Sequence, residues 1–326
     1  MSISLETKLG AAADKMSAAK DSIGHVVIGQ QDVVDLALSA ILSGGHALLV
    51  GVPGLAKTLL VETLSTVLGL DGKRIQFTPD LMPADIIGSE VLEESAKGKR
   101  AFRFISGPVF CQLLMADEIN RASPRTQSAL LQAMQEKFVT IAGARHDLPK
   151  PFHVLATQNP IEQEGTYPLP EAQLDRFLFQ IDVGYPKQAT EREILLATTG
   201  TKTGTAKKII TPKQLMDMQA LVRAMPIGDN VVDFILALVR GARPDQSEFD
   251  FIKDNIIWGP GPRAGQALML TSRARALMDG RMSPSIDDVL ALAGPVLKHR
   301  MALSFAARAD GQNIDALIQK LCQAVS

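Results

Sequence analysis

The segment from Leu48 to Thr58 restricts the possible folds of this chain more than any other feature. Three apolar residues at its start are typical of a buried strand, and Gly51-Val52-Pro53-Gly54 predicts a tight turn. Lys57-Thr58 then opens a segment with helical periodicity. In a strand–turn–helix unit of this kind, backbone amides and the helix N-terminus face an anion. The segment therefore predicts a site for the phosphates of a nucleoside triphosphate.

One position of this loop departs from the usual G-x-x-x-x-G-K-[ST] pattern, because Ala56 stands where the second glycine is usual. A methyl group costs little if the backbone does not need a positive φ, and we expect Ala56 to be nearly helical. Lys57 is expected to bridge the β- and γ-phosphates, and the Thr58 hydroxyl to ligate Mg²⁺. The predicted phosphate-binding residues are Gly51, Val52, Pro53, Gly54, Leu55, Ala56, Lys57 and Thr58.

Composition is that of a folded protein. The chain has 326 residues, 46% of them hydrophobic and 21% charged, which is enough for two domains with sizeable cores. Aromatic residues make up 5%, so the cores must be mainly aliphatic, as suits parallel strands and packed helices. The net charge of −1 argues against a strongly basic nucleic-acid-binding protein.

The two cysteines, Cys111 and Cys322, form neither a metal-binding spacing nor a disulfide framework. A reducing compartment is the simplest setting for such a chain. The first 21 residues lack the pattern of a signal peptide, and no apolar run approaches the 18 residues of a membrane span. We therefore expect a cytoplasmic protein.

Strand and helix signals alternate up to about residue 185, which predicts a parallel sheet with helical crossovers. Ser123 followed by Pro124 indicates a helix start. The predicted strands are His46–Val50, Arg74–Thr78, Gln112–Ala116, Phe152–Thr157 and Phe177–Val183, and the predicted helices are Gln31–Leu42, Lys57–Leu68, Pro124–Gln135 and Glu171–Asp175.

Two hairpins are also expected in this first half. Short strands at Gly88–Val91 and Arg103–Ile105 flank a polar tip at Glu93–Arg100, which predicts a hairpin inserted into a helix. A second hairpin is predicted at Lys137–Pro149, with its turn near Gly143.

Strand signals fade after Tyr185-Pro186. Thr190 with Glu193 and Thr211 with Gln214 fit capping boxes. The chain is therefore predicted to consist of an α/β nucleotide-binding domain with an N-terminal helix, residues 1–185, and an α-helical domain, residues 186–326. Helices of the second domain are expected at Thr190–Thr198, Pro212–Met225, Asn230–Arg240, Arg263–Met278, Ile286–Leu297 and Ile314–Ala324.

Two adjacent carboxylates end a hydrophobic run about 60 residues after Lys57. Asp117 is placed to hold Mg²⁺ through water, and Glu118 to polarise the attacking water as a general base. A polar strand end before a turn is the alternative. The upstream phosphate loop favours the catalytic interpretation, and the adjacent glutamate favours hydrolysis over transfer to a small substrate.

Three further residues are candidates for contacts with the γ-phosphate. Asn159 follows a predicted strand and could orient water, unless it is simply a turn residue before Pro160. Arg176 could reach a neighbouring subunit's γ-phosphate as an arginine finger, or form a structural salt bridge. Arg263 opens a helix, where a cation is unfavourable. It could contact the γ-phosphate from the lid side, or lie on the surface.

Arg121 and Arg125 compete with Arg176 for the arginine-finger role, although a structural or subunit contact is the favoured interpretation of each. The five histidines show no ligand spacing and are interpreted as packing or surface residues: His25, His46, His146, His153 and His299.

Taken together, these segments resemble AAA+ ATPases of the MoxR family, with a similarity that runs from Ile28 to about Arg300. The segments that carry it are Gly51–Thr58, Arg74–Pro83, Gly107–Pro108–Val109–Phe110, Asp117–Arg121, Ala156–Pro160, Leu169–Phe177, Pro262–Ala264 and Pro295–Arg300. An alanine before the lysine is normal in that family. The resemblance implies an AAA+ fold with a five-stranded parallel sheet, a helix-2 insert at Gly88–Ile105 and a helical lid.

The resemblance also implies roles: sensor 1 for Asn159, the arginine finger for Arg176 and sensor 2 for Arg263. It implies ATP and Mg²⁺, a hexameric ring, and chaperone-like remodelling or maturation of a protein client with a von Willebrand A-domain partner.

The sequence leaves three other functions open. A nucleic-acid-dependent motor could use Arg145, His146 and Lys150 on the second hairpin, although the neutral composition disfavours it. A small-molecule kinase or GTPase is disfavoured because the guanine-reading Asn-Lys-x-Asp pattern does not occur in the sequence. A nucleotide-dependent scaffold with little turnover would use the same residues.

Overall fold

A computed structural model describes residues 5–94, 100–162, 165–200 and 204–326. The strands, in chain order, are β1 (Ala47–Val50), β2 (Gly72–Gln76), β3 (Gly88–Glu94), β4 (Arg100–Ser106), β5 (Leu113–Asp117), β6 (Phe138–Ile141), β7 (Ala144–Asp147), β8 (His153–Gln158), β9 (Phe179–Asp182), β10 (Ile256–Trp258) and β11 (Ala302–Leu303).

The helices account for most of the remaining described residues. They are α1 (Leu5–Gly24), α2 (Gln31–Leu42), α3 (Lys57–Leu68), α4 (Pro83–Ile87), α5 (Pro124–Glu136), α6 (Glu171–Leu174), α7 (Gln188–Thr198), α8 (Pro212–Ala224), α9 (Asp229–Gly241), α10 (Asp250–Lys253), α11 (Pro262–Met278), α12 (Ile286–Leu297), α13 (Phe305–Ala309) and α14 (Ile314–Val325).

The central sheet has five parallel strands in the order β2-β5-β8-β1-β9. All five predicted strands are confirmed, with ends displaced by at most two residues. Neighbouring side chains of a strand point to opposite faces of the sheet. Accordingly, Leu49 joins the apolar core on one face, and Leu48 joins the core on the other.

One of these two cores continues from the sheet into the C-terminal helices. It holds buried residues of α1, α2 and α3 together with residues of α8, α9, α11, α12 and α14. Helix α11 packs against both α1 and α2. Strand β9 is the last strand of the large sheet, and the division at residue 185 stays a prediction. The C-terminal part is not purely helical, because β10 and β11 form a small antiparallel pair.

Both predicted hairpins are present. β3 pairs with β4, and β6 pairs with β7 around Gly143, whose φ is +84°. Residues 95–99 of the predicted polar tip lie outside the described residues.

The expectation that the first hairpin interrupts a helix is half wrong. Helix α4 precedes the hairpin, but turns rather than a helix connect β4 to β5. Pro108 has no amide proton to donate, and a Cβ atom on Gly107 would lie 2.2 Å from the Ile86 carbonyl oxygen. The close contact at Gly107 and the proline after it explain why the helix does not resume.

Of the helix caps that the sequence predicts, two are present and one is wrong. Thr211 and Gln214 form the predicted capping box at α8, and Ser123 caps α5. The box at Thr190 is wrong, because α7 begins at Gln188 with Lys187 as its N-cap. Thr190 instead lies in the first turn, with its methyl group against Gly29. Among the described residues, no helix is both long and apolar enough to cross a membrane.

Candidate nucleotide-binding site

The phosphate loop connects the carboxyl end of β1 to α3, as the sequence predicts. A Cβ atom on Gly51 would lie 2.5 Å from the Val183 carbonyl oxygen, so close packing requires glycine there. Gly54 has a φ of +84° and open space around it, so its requirement for glycine comes from the backbone.

Ala56 has a left-handed backbone, with φ 56° and ψ 21°. The expectation of nearly helical dihedrals is therefore wrong. The loop needs a left-handed residue immediately before α3, and alanine occupies that position at a torsional cost of roughly 1–2 kcal/mol. Since the side chain is exposed, the cost is not relieved by packing.

Lys57 lies among the acidic residues of the site. Its Nζ donates hydrogen bonds to the carbonyl oxygens of Gly51 and Val52, the latter at 3.0 Å. Burial lowers the pKa of Lys57, while the charges of Asp117 and Glu118 act in the opposite direction. The amine therefore lies close enough to both carboxylates to share one site with them.

Asp117 is buried and held by two groups from neighbouring strands. Its Oδ2 accepts hydrogen bonds from Arg74 of β2, at 2.6 Å from Nη2 and 3.1 Å from Nε. Its Oδ1 accepts from the Thr157 hydroxyl of β8 at 2.6 Å. The carboxylate thus has a fixed orientation at the carboxyl edge of the sheet.

Glu118 has a left-handed backbone with φ 56°, and its side chain has two partners. Oε2 accepts from Gln76 Nε2 at 2.7 Å and from Arg121 Nη1 at 3.0 Å. Arg121 also lies 3.8 Å from Glu162, which accepts from Asn159 Nδ2 at 3.4 Å. The structure therefore brings the phosphate loop, Asp117, Glu118 and Asn159 together, as predicted.

Arg176 and Arg263 lie elsewhere, at the opposite edge of the sheet. The Leu178 amide donates to the His46 carbonyl oxygen at 2.8 Å, so this region precedes both β9 and β1. His46, Arg176 and Arg263 line a cleft of about 230 Å³ there. The four residues of β1, at about 3.3 Å each, separate this cleft from the phosphate loop.

The expectation that Arg263 contacts a γ-phosphate from the lid side stays a prediction, and the structure places this residue away from its own subunit's phosphate loop. Helix α11 packs against α1 and α2 and carries Arg263 to the amino edge of the sheet. Arg263 Nη1 lies 3.5 Å from Asp175 Oδ2. The neighbouring Arg176 guanidinium has no hydrogen-bond or ion-pair partner among the residues that the structure describes.

The histidine in this cleft adds no charge to it. His46 is fully buried, and burial, with the nearby His153, lowers its pKa to about 3. Its Nδ1 accepts from the Val154 amide at 2.9 Å, and its Nε2 donates to the Met134 carbonyl oxygen at 3.3 Å. His46 is thus the packing residue that the sequence predicts.

Two segments of the chain match known families. Residues 46–179 match the ATPase family associated with various cellular activities (AAA), and residues 252–321 match the AAA lid domain. Chaperone MoxR1 of Mycobacterium tuberculosis is 41% identical over 319 residues, which cover 98% of this chain and 84% of that protein. The chain belongs to the MoxR family of AAA+ ATPases.

Further relatives and a solved structure are similar over most of their length. The uncharacterized protein YeaC of Bacillus subtilis is 39% identical over 95% of this chain and 94% of its own length. Protein MoxR of Paracoccus denitrificans is 32% identical over 88% of each chain. The crystal structure of a Cytophaga hutchinsonii protein assigned as an ATPase has a TM-score of 0.91 and 37% identity, covering 98% of this chain and 97% of that one.

The side chains of this MoxR-family site fit a magnesium ion that is also bound by phosphates and water, rather than a metal ion bound by protein ligands alone. Within the described ranges, no group of three or more His, Cys, Asp or Glu side chains could hold a metal ion. Thr58 and Asp117 offer one hydroxyl and one carboxylate. Mg²⁺ in nucleotide sites uses such a pair, with phosphates and water completing its shell.

Sequence reasoning missed a buried residue beside the arginine cleft. Arg300 is 1% exposed, and all its N–H groups are bonded. They reach the Asp175 carboxylate and backbone carbonyls, including that of Phe177, 123 residues away. The predicted family segment Pro295–Arg300 gave no sign of this role, because the partners are far away in sequence.

Proposed function

We propose that this protein is a ring-forming ATPase that uses ATP hydrolysis to remodel or mature a protein client. The observation that carries the proposal is the separation of its site residues between two edges of one sheet. The phosphate loop, Asp117 and Glu118 lie at one edge. Arg176, whose guanidinium has no partner within the described part of the chain, lies at the other. Such a site is complete only between two copies of the chain.

At the carboxyl edge, the residues have separate tasks. Lys57 and the loop amides bind the β- and γ-phosphates, and Asn159 orients the attacking water. Thr58 and Asp117 hold magnesium, which neutralises charge on the phosphates when bound. Glu118 polarises the water, and the hydrogen bonds from Gln76 and Arg121 to its Oε2 hold the carboxylate in place.

At the amino edge, Arg176 and Arg263 serve the nucleotide of a neighbouring subunit. An arginine finger contributes roughly 10³–10⁵ in turnover by stabilising charge on the transferred phosphoryl group. Arg121 is a weaker candidate, because it already pairs with Glu118 at its own subunit's site. Arg125 lies near the N-terminus of α5, beside the insert hairpin.

Complementation between two inactive variants tests the shared site. Lys57→Ala should lose ATP binding but keep Arg176, and Arg176→Ala should bind ATP but lose most hydrolysis. Mixed rings should recover activity, because a Lys57→Ala subunit supplies its arginine to a neighbour. Phosphate release is measured over a range of mixing ratios. If the mixture is no more active than its components, the proposal of a site shared between subunits is wrong.

The same design separates the two assignments of Arg263. If it acts on a neighbour, Arg263→Ala should also recover activity when mixed with Lys57→Ala. If it acts within its own subunit, the mixture stays inactive. Glu118→Gln is the reference variant. It should bind ATP without turnover and give a larger assembly, hexameric by this proposal, when sized by light scattering with ATP.

A protein client and a von Willebrand A-domain partner complete the proposal. It is supported by the family resemblance and by exposed apolar side chains on and beside the insert hairpin, among them Met82, Phe102 and Ile105. Pull-down with the Glu118→Gln variant, with and without Phe102→Ser, tests whether this surface holds the client. Equal capture of the same proteins by both would remove the hairpin from the proposal.

The alternative, a nucleic-acid-dependent motor, is disfavoured by the second hairpin. Arg145 pairs with Asp147 at 2.8 Å and lies over the Phe138 ring, and His146 stacks on Phe104. These groups already have protein partners. Salt-dependent stimulation of ATP hydrolysis by single-stranded DNA would favour the motor instead.

A further inference from the structure

The hydrogen bonds of Asp117 leave one acceptor position of its carboxylate free. A carboxylate offers about four such positions. Oδ2 receives two N–H groups of Arg74, and Oδ1 receives the Thr157 hydroxyl. The remaining position is on Oδ1, because Arg74 occupies both positions of Oδ2.

Thr157 does more than donate to this carboxylate. Its hydroxyl oxygen also accepts the Glu118 amide at 2.8 Å, and the side chain is completely buried. One hydroxyl therefore fixes the side chain of Asp117 and the backbone of the residue after it. That backbone is left-handed, so it needs a partner that holds it in place.

We propose that Thr157 and Arg74 are positioning residues that hold Asp117 so that a single oxygen position faces the magnesium ion or its water. The proposal rests on the proposed ATPase function, and it assigns roles to residues of β8 and β2 outside the phosphate loop and the carboxylate pair. Neither residue contacts nucleotide in this account. Both act through Asp117.

The expected effect is a loss of the magnesium contribution to nucleotide binding. Removing a group that orients a metal ligand typically lowers metal affinity about 10–100-fold. The dissociation constant of a fluorescent ATP analogue is measured with Mg²⁺ and with EDTA for each purified full-length variant. The dissociation constant in EDTA divided by that in Mg²⁺ reports how much magnesium strengthens binding. The constant in EDTA reports binding by the phosphate loop alone.

Thr157→Val keeps the size of the side chain and removes the hydroxyl, so the ratio should fall about tenfold while the EDTA value is unchanged. Thr157→Ser restores the hydroxyl and should restore the ratio. Thr271→Val is the matched control, because Thr271 is equally buried and its hydroxyl donates to the Ala267 carbonyl oxygen of the same helix. Its ratio should equal that of the wild type.

Arg74→Met and Arg74→Lys test the second group, and they carry the test if Thr157→Val does not fold. Both should lower the ratio, since neither reproduces the two N–H groups on Oδ2. An unchanged ratio in folded Thr157→Val, or an equal loss in Thr157→Ser, would overturn the role of Thr157. Tighter magnesium binding in Arg74→Met would show that Arg74 repels the ion, and would overturn its role.

Binding of the analogue to the wild type distinguishes failure of this inference from failure of the proposed ATPase function. If wild-type protein binds the analogue no better with Mg²⁺ than with EDTA, the proposed function fails together with the inference. If the wild type shows a magnesium effect that Thr157→Val, Arg74→Met and Arg74→Lys all leave intact, the inference alone fails.

Discussion

Ala56 shows how a single residue can satisfy a sequence pattern while its backbone departs from the expected geometry. Its left-handed φ of 56° is the conformation that the usual glycine adopts without strain. The side chain is exposed, so the methyl group meets no neighbour that would compensate. The phosphate loop therefore stores torsional strain directly beside Lys57.

Replacing Ala56 with glycine should stabilise the protein. Glycine removes the left-handed cost of roughly 1–2 kcal/mol. Its greater freedom in the unfolded chain offsets about 0.4–1 kcal/mol of that gain in stability. We expect a net gain of about 0.5–1 kcal/mol in the free energy of unfolding, measured by urea denaturation, with ATP binding retained.

Ala11→Gly is the control for this substitution. Ala11 is exposed in the middle of α1, where glycine should cost about 1 kcal/mol. Opposite signs for the two Ala→Gly changes support the strain at Ala56. A loss of stability in both would contradict it.

Residues with roles set by local sequence were the predictable ones. Lys57 begins the helix after β1, and Asp117, Glu118 and Asn159 lie at or just after the end of a strand. The carboxyl ends of such strands meet at one edge. Arg74, Thr157 and Arg300 were not predicted as site residues. Their partners lie 43, 40 and 125 residues away, a distance in sequence that periodicity and spacing do not detect.

At the scale of elements, helix starts were predictable where the cap itself begins the helix. Thr211 accepts the Gln214 amide at 3.3 Å, and Gln214 Oε1 accepts the Thr211 amide in return. Thr190 has the same spacing to Glu193, yet α7 starts two residues earlier. The spacing alone does not distinguish a cap from a residue of the first turn.

Removing one hydroxyl at each position tests this difference. Thr211→Val should lower the free energy of unfolding by about 1 kcal/mol, because the α8 amide loses its acceptor. Thr190→Val keeps the methyl group against Gly29 and should change stability little. Both are measured by chemical denaturation. A comparable loss in Thr190→Val would mean that its hydroxyl also caps a helix.

At the insert hairpin, the structure keeps the predicted strands but replaces the predicted second half of the helix with turns. The hairpin's strands were predicted as short segments on either side of a polar tip, and both extend beyond the predicted ends. The helix around it was predicted on both sides, but Gly107 packs against the α4 carbonyls and Pro108 follows, so the chain turns instead. Close packing at Gly107 thus fixes the start of the turns that connect β4 to β5.

At the scale of the whole molecule, Arg300 connects the C-terminal helices to the segment that carries Arg176. Its guanidinium bonds to Asp175 and to the carbonyl oxygen of Phe177, on either side of Arg176. It also bonds to the Val296 carbonyl oxygen of α12 at 2.6 Å. A fully bonded buried cation of this kind holds two distant parts of the chain in one arrangement.

Arg300→Met should therefore destabilise the protein by about 3–5 kcal/mol, because it leaves buried carbonyls and Asp175 without their donor. In the fraction that stays folded, ATP binding should persist while hydrolysis falls, since Arg176 loses its support. Denaturation, nucleotide binding and phosphate release are measured in parallel.

Arg240→Met, an exposed position on α9, is the control and should lie within about 0.5 kcal/mol of the wild type. If Arg300→Met is equally mild, the buried arginine does not hold the two parts together.

The sequence by itself determined the parallel sheet, the phosphate loop and the residues at its carboxyl edge. These depend on local signals: apolar runs, turn residues and the polar positions that follow strands. Tertiary structure alone decided at which edge of the sheet each arginine lies. Helix α11 packs on α1 and α2 through one continuous core, and this burial of apolar surface carries Arg263 to the edge opposite Lys57. No local pattern encodes that side, because it results from contacts between residues more than two hundred positions apart.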